Sequence, residues 1–366
     1  MKNKDKYLLP TIEKQYRSFE NFSKKYDAYG RQHFFRGETR EEFQLWKEKT
    51  KNELFDLLGL EKMRKSDLDV RVEEIVSLKD GITREKIVIQ TEPLVYMPMY
   101  ILIPPKKNNH KASCFIAPCG HQGGGKYSVA GCEEFALIKE KIDFFHYDYG
   151  MQLAKRGFVV ICPDARGFGE RRETSMQNES SECFFQSSCY ALSHMAESLG
   201  ETVIGMLVWD LMRVIDYLEE RDEWRLDNLG CAGFSGGGMQ TLWLGALDFR
   251  VKQLIISGYL YGYKDSLLTL NGNCSCNYVP HLMEYYDMGD IASLLAPRPV
   301  TIQSCTEDHL NGSRGIVNVE EQLEIMKKAY ACYQKENRLI WDVCPGSHQW
   351  HEENLSTFLR TMGNEI

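Results

Sequence analysis

The chain has 366 residues, with 44 Lys and Arg against 52 Asp and Glu and a formal net charge of −8. That balance disfavours a nucleic-acid partner, because phosphate binding needs a basic surface. The length allows one large α/β domain with an extension, and no apolar run approaches the ~20 residues needed to cross a bilayer.

No apolar stretch follows the opening Met1-Lys-Asn-Lys-Asp-Lys6, so the mature chain is expected to start near Met1, in the cytoplasm and off the membrane. Twelve cysteines are spread singly along the chain, apart from Cys274-Ser-Cys276. Without a secretion signal this predicts reduced thiols rather than a disulfide framework. No second cysteine or histidine pair stands at metal-ligand spacing, so no metal site is expected.

Residues 1–69 read as a polar, helical extension in which Phe43, Leu45, Trp46, Leu54, Leu57 and Leu58 fall at helical spacing before Gly59 closes the run. It is expected to pack on the main domain or on a second subunit, which leaves a homo-oligomer open. Residues 70–366 read as the main domain. Val70 to Leu78, Ile82 to Thr91 and Tyr96 to Ile103 are β-branched and apolar, punctuated by Lys79-Asp80-Gly81 and Pro93, and predict antiparallel strands that open a sheet. Cys114 to Ala117 follows as a short buried strand, then the glycine-rich loop Pro118 to Lys126. Phe158 to Cys162 is the next strand, and in the loop after it Asp164 and Arg166 are read as a loop-fixing ion pair before any catalytic use. Ser193 to Glu220 predicts one or two helices facing the sheet with Met206, Leu207, Trp209, Leu211, Ile215 and Leu218.

Leu229 to Ala232 then reads as a short buried strand and Met239 to Leu247 as a buried helix. Between them lies Gly233-Phe-Ser-Gly-Gly237, a G-x-S-x-G. A serine on a sharp strand-to-helix turn needs small neighbours two residues away, which Gly233 and Gly237 supply. The N–H of Gly236 then points where an oxyanion forms. A nucleotide-binding glycine turn is the plainer reading, but the spacing is not G-x-G-x-x-G and no P-loop lysine-serine pair follows. The earlier loop stands where an α/β hydrolase supplies its second oxyanion N–H, and His121 or Gln122 is the candidate donor through the main chain.

Val251 to Ser257 is the next strand. Residues 259–296 form a long tyrosine-rich insertion of the length usual for a lid or binding loop. Its tyrosines are read equally as stacking platforms for a sugar ring or as packing. Trp243, Tyr259 and Trp350 are the aromatic candidates for substrate contact. Pro299 to Ser304 is a strand leading to Thr306-Glu-Asp308, Ile316 to Tyr333 a helix, and Leu339 to Val343 the last strand before Gly346-Ser-His348. A serine hydroxyl needs a base within reach and a third group to hold that base. Ser235 is the expected nucleophile, His348 the base and Asp308 the orienting acid, with Glu307 as fallback. Asp308 follows Ser235 by 73 residues and His348 follows by 40 more, the serine, acid, histidine order of α/β hydrolases.

His121-Gln-Gly-Gly-Gly-Lys126, Pro163-Asp-Ala-Arg-Gly-Phe-Gly169, Gly233-Phe-Ser-Gly-Gly-Gly238, Ala296-Pro-Arg-Pro299, Thr306-Glu-Asp308 and Gly346-Ser-His348 together resemble the α/β-hydrolase esterases grouped near acetyl xylan esterases and dienelactone hydrolases, kin to the prolyl oligopeptidase catalytic domain. The oxyanion loop departs from the usual His-Gly pair, with Cys119-Gly120 in its place. The resemblance implies an α/β-hydrolase fold: a mostly parallel sheet with antiparallel N-terminal strands, helices on both faces and the helical extension in front. It also implies a serine hydrolase acting on small esters, acetylated carbohydrates among them, with no metal or organic cofactor. The rival readings are an oligopeptidase with the same triad, or a binding protein that keeps the fold without activity.

Overall fold

The computed structural model describes residues 13, 16–106, 111–173, 178, 180–269 and 273–364. Nine strands form one sheet: β1 (Arg71–Ser77), β2 (Thr83–Glu92), β3 (Val95–Ile103), β4 (Ser113–Ile116), β5 (Val159–Pro163), β6 (Arg225–Phe234), β7 (Gln253–Ser257), β8 (Val300–Cys305) and β9 (Leu339–Cys344). Their order across the sheet is β1-β2-β3-β5-β4-β6-β7-β8-β9. The first three strands pair antiparallel, β3 meets β5 antiparallel at Met99 opposite Pro163, and every pair from β5 to β9 is parallel. The α/β-hydrolase arrangement expected from sequence is therefore the one observed. Every residue of β4, β5, β7 and β8 is buried, which requires cover on both faces; β5 is a continuous apolar run, whereas β8 also buries Thr301, Gln303 and Ser304. β1, at the sheet edge, is almost wholly exposed.

Thirteen α-helices surround the sheet among the described residues: α1 (Phe19–Tyr29), α2 (Arg40–Leu57), α3 (Lys126–Val129), α4 (Ala136–Phe145), α5 (Tyr149–Lys155), α6 (Ser181–Phe185), α7 (Cys189–Ser198), α8 (Val203–Glu219), α9 (Gly236–Leu247), α10 (Leu282–Tyr285), α11 (Met288–Ser293), α12 (Ile316–Ala331) and α13 (Leu355–Thr361). No described helix is long and apolar enough to cross a membrane. α8 turns a nearly continuous face of Val203, Leu207, Leu211, Val214 and Leu218 inward, and all of α9 is buried.

The N-terminal helices dock on the same chain. α2 opens on a capping box in which Thr39 and Glu42 satisfy each other's backbone N–H groups. Phe43, Leu54 and Leu58 are buried, whereas Leu45, expected on the same apolar face, is 71% exposed and points to solvent. The backbone N–H groups of Arg31, Gln32 and His33 donate to the carbonyls of Met283, Glu284 and Tyr285. Arg31 also clamps buried Asp290 with two bonds of 2.6 and 2.9 Å, and the His33 ring lies flat on Tyr285 at 4.5 Å. The extension thus braces the 259–296 segment.

That segment is packed rather than open. Tyr259, Tyr261, Tyr263 and Tyr286 are 1–3% exposed. Of the two uses held open for these tyrosines, packing is the one seen.

Candidate active site

β6 ends at Phe234, and Ser235 turns the chain into α9 with φ +56° and ψ −120°. A serine at positive φ is strained, and the surroundings show what holds it. Its N–H donates to the Ser257 carbonyl at 2.9 Å. A Cβ on Gly233 would lie 2.3 Å from the backbone of Gly237, and one on Gly237 would lie 2.2 Å from the Pro118 oxygen. Both glycines are therefore steric requirements of the turn, as its spacing predicts.

Asp308, in the turn after β8, is buried, and its Oδ2 accepts from His348 Nδ1 at 2.6 Å. Its Oδ1 accepts from the N–H of Leu310 at 2.9 Å, so both oxygens are fixed. Glu307 is exposed, and its N–H donates to the carbonyl of Gly346, after β9, at 2.8 Å. His348 follows β9 and packs against the ring of Phe234, the residue before the serine, at 4.5 Å. Gly258, just past β7, leaves it room: a Cβ there would lie 2.9 Å from His348 Cε1. His348 Nε2 is buried and carries no hydrogen bond. The carboxylate thus directs the proton of a neutral ring to Nδ1 and keeps Nε2 open as a proton acceptor. His309 is 75% exposed at its side chain, and His351 pairs with Glu353, so neither occupies that place.

The glycine-rich loop crosses in front of α9. A Cβ on Gly120 would lie 3.2 Å from the Gly236 nitrogen, and one on Gly236 would lie 2.7 Å from His121 Nδ1. Gly120 and His121 are therefore the loop residues that reach the N–H following the serine. Gln122 sits at φ +63°. Gln240 ties the loop down through Cys119 O at 2.7 Å, and the hydroxyls of Tyr147 and Tyr149 donate to the carbonyls of His121 and Pro118. Behind it, wholly buried Lys126 binds buried Asp164 at 2.7 Å, and Asp164 also accepts from the Lys126 N–H. Arg166 pairs with Asp210 and Glu92. Asp164 and Arg166 thus fix loops, but not as the pair expected from sequence: Asp164 takes Lys126 as its cation and Arg166 takes Asp210 and Glu92 as its anions.

A model of the Abhydrolase family (Abhydrolase_7) matches residues 24–339. The chain belongs to this family. A Bacillus subtilis (strain 168) relative named "Putative hydrolase YtaP" is 26% identical over 238 residues, 63% of this chain and 73% of its own. The fold is similar to that of a "putative acetyl xylan esterase" from Bacteroides fragilis NCTC 9343, with TM-score 0.71 and 15% identity over 91% of this chain and 84% of the other. It is also similar to a glucuronoyl esterase from Solibacter usitatus, with TM-score 0.64 and 13% identity over 89% and 93% of the two chains.

The three aromatics considered for substrate contact lie inside the protein. Trp243 and Trp350 are 0% exposed and Tyr259 3%. The Trp350 indole donates to Gln152 at 3.0 Å, and the Tyr259 hydroxyl donates to Asn277 at 2.8 Å. As placed, they offer no surface to a substrate, and their apolar bulk was a signal of core.

A second departure concerns metal ligands. Spacing showed none, yet the fold gathers His121, Cys189, Cys274 and Cys276 so that their donor atoms all lie within 4.8 Å of one another. The four side chains come from three distant segments, so no paired motif in the sequence marks them. An apolar groove lined by Tyr127, Phe135, Ile138, Phe184 and Phe185 reaches the same loop at Gly124, which faces Phe184 and Ile138.

Proposed function

We propose that this chain is a serine carboxylic-ester hydrolase that works through an acyl-enzyme. The observation that carries the reading is the 2.6 Å bond between buried Asp308 and His348, on a ring packed against the residue that precedes the strained Ser235. In this reading His348 Nε2 takes the proton of Ser235 as the hydroxyl oxygen attacks the ester carbonyl. Asp308 holds the ring and stabilises the imidazolium that forms. The oxyanion is met by the N–H of Gly236 and by a second backbone donor from His121 or Gln122, with His121 favoured because its loop neighbour Gly120 approaches Gly236. Collapse of the intermediate expels the alcohol, protonated by His348, and water repeats the cycle on the acyl-serine. Every group in this sequence belongs to the chain, so the reading calls for no organic cofactor.

The substrate class proposed is short acyl esters, acetyl above all, on carbohydrate alcohols. Its support is the family, together with structural neighbours named as acetyl xylan esterases.

The test is a panel of acetyl, butyryl and octanoyl p-nitrophenyl esters, acetylated xylose and a prolyl amide, run on wild type and Ser235→Ala. Acetyl esters are expected to turn over fastest and the alanine variant to lose several orders of magnitude of kcat while folding normally. Amide cleavage outpacing ester cleavage would move the protein to the peptidases. Undiminished turnover in Ser235→Ala would remove the reading altogether.

A further inference from the structure

Cys114, Cys162 and Cys231 are single buried thiols on sheet strands, where cysteine acts as a small apolar residue. The cluster of His121, Cys189, Cys274 and Cys276 is different, because four soft donors from separate parts of the chain converge. His121 comes from the glycine-rich loop, Cys189 from the first turn of α7, Cys276 from a short helical turn at Ser275–Asn277 and Cys274 from the residue that caps it. Their donor atoms lie within 4.8 Å of one another, and His121 Nε2 is already 3.5 Å from Cys276 Sγ. A tetrahedral zinc ion with bonds of ~2.0–2.3 Å places its ligand atoms about 3.3–3.8 Å apart, so the widest separations in the cluster must close by about 1 Å to hold an ion. Three sulfurs and one imidazole are also the ligand inventory of a structural zinc site.

We propose that His121, Cys189, Cys274 and Cys276 bind a single thiophilic divalent metal ion, zinc by ligand class, which locks the glycine-rich loop to α7 and to the 259–296 segment.

All twelve cysteines are free thiols in the structure, so no disulfide consumes these donors. A disulfide would use two of the three sulfurs and leave the third and the imidazole without a purpose. The surroundings support the ligands as outer-shell partners do: Asn277 Nδ2 lies 3.6 Å from Cys276 Sγ, and its side-chain oxygen is held by Tyr259. An anionic sulfur is what a metal requires, and each thiol that binds releases its proton. The four-ligand shell leaves no open position, so the ion is structural and stands outside acyl transfer. Binding through Nε2 places the remaining ring proton on Nδ1, the nitrogen that faces Gly236. The metal would thereby set the tautomer and orientation of a side chain on the loop assigned to the oxyanion; that link to turnover rests on the esterase reading, whereas binding itself does not.

The experiment uses full-length, tag-free protein purified without chelator. Elemental analysis is expected to find about one zinc per chain. Replacement by cobalt(II) should give the sulfur-to-metal charge-transfer and intense visible bands of a tetrahedral thiolate site. Cys189→Ser and Cys276→Ser should each lose the metal, while Cys332→Ser, outside the cluster, keeps it. Zinc below about a tenth of an equivalent in wild type, together with no cobalt-thiolate band on titration of the metal-free protein, would overturn the proposal. So would a disulfide among Cys189, Cys274 and Cys276 in the unreduced protein, or full metal retention in the two serine variants. If those variants fail to fold, the wild-type cobalt spectrum decides. Failure here leaves the ester panel untouched, so the two readings fall separately.

Discussion

Asp308 and Glu307 are neighbours in sequence with opposite fates, and a pair of isosteric variants exploits the difference. Asp308→Asn keeps the shape but presents the wrong donor pattern to His348 Nδ1, and is expected to cut kcat on the order of 10⁴-fold. Glu307→Gln, on an exposed side chain, should change it little. Steady-state kinetics on one ester decides, and a crippling Glu307→Gln would relocate the acid. Gly258→Ala tests the room left for the histidine. Its Cβ would sit 2.9 Å from His348 Cε1 at a backbone φ of +60°, so a loss on the order of 10²-fold in kcat is expected, and wild-type turnover would refute the crowding. Asp308 and His348 each stand in a short motif at a strand end, which is why the sequence could single them out, and the structure brings the two together at 2.6 Å; Gly258 stands in no such motif. Trp243, Tyr259 and Trp350 were misjudged because an aromatic side chain serves a core and a binding face equally well, and only the fold shows which neighbours it meets. His121 was read for its backbone, while its ring joins cysteines 68 and more positions away, a proximity that no local pattern encodes.

At the scale of elements, the strands were legible to within a few residues because each is a short stretch rich in β-branched and apolar residues, bounded by polar or glycine and proline turns. What the pattern could not show is the docking of the first helices. Polar contacts such as Arg31 on Asp290 have no periodicity, and Leu45 fits the helical spacing while facing water. Asp290 is buried and loses its cation in Arg31→Ala, so a destabilisation of roughly 2 kcal/mol is expected from chemical denaturation. An unchanged unfolding midpoint would mean that the extension contributes nothing through this clamp.

For the whole molecule, the loops behind the site rest on ion-paired carboxylates, Asp210 buried and Glu170 at the surface, with a defined response to acid. Burial opposes ionisation of Asp210, yet Arg166 and Arg171 hold its carboxyl down at about 2; Glu170 is likewise held at about 2, against burial, first by Lys126. Both lie below the ~4 of an unfolded chain. Their contribution to stability is therefore complete above pH ~4 and lost as pH falls toward ~2. Urea-unfolding midpoints should stay level from neutral pH to about 5 and drop steeply below about 4, with a shallower drop in Asp210→Asn; a wild-type midpoint level down to pH 3 would contradict this. The account as a whole stands on one side chain, and the most direct measurement is reaction of the intact protein with a fluorophosphonate followed by peptide mapping. It predicts a single adduct, on Ser235, forming rapidly in wild type, slowly in His348→Ala and not at all in Ser235→Ala. An adduct on any other residue, or labelling at the wild-type rate without His348, would contradict it.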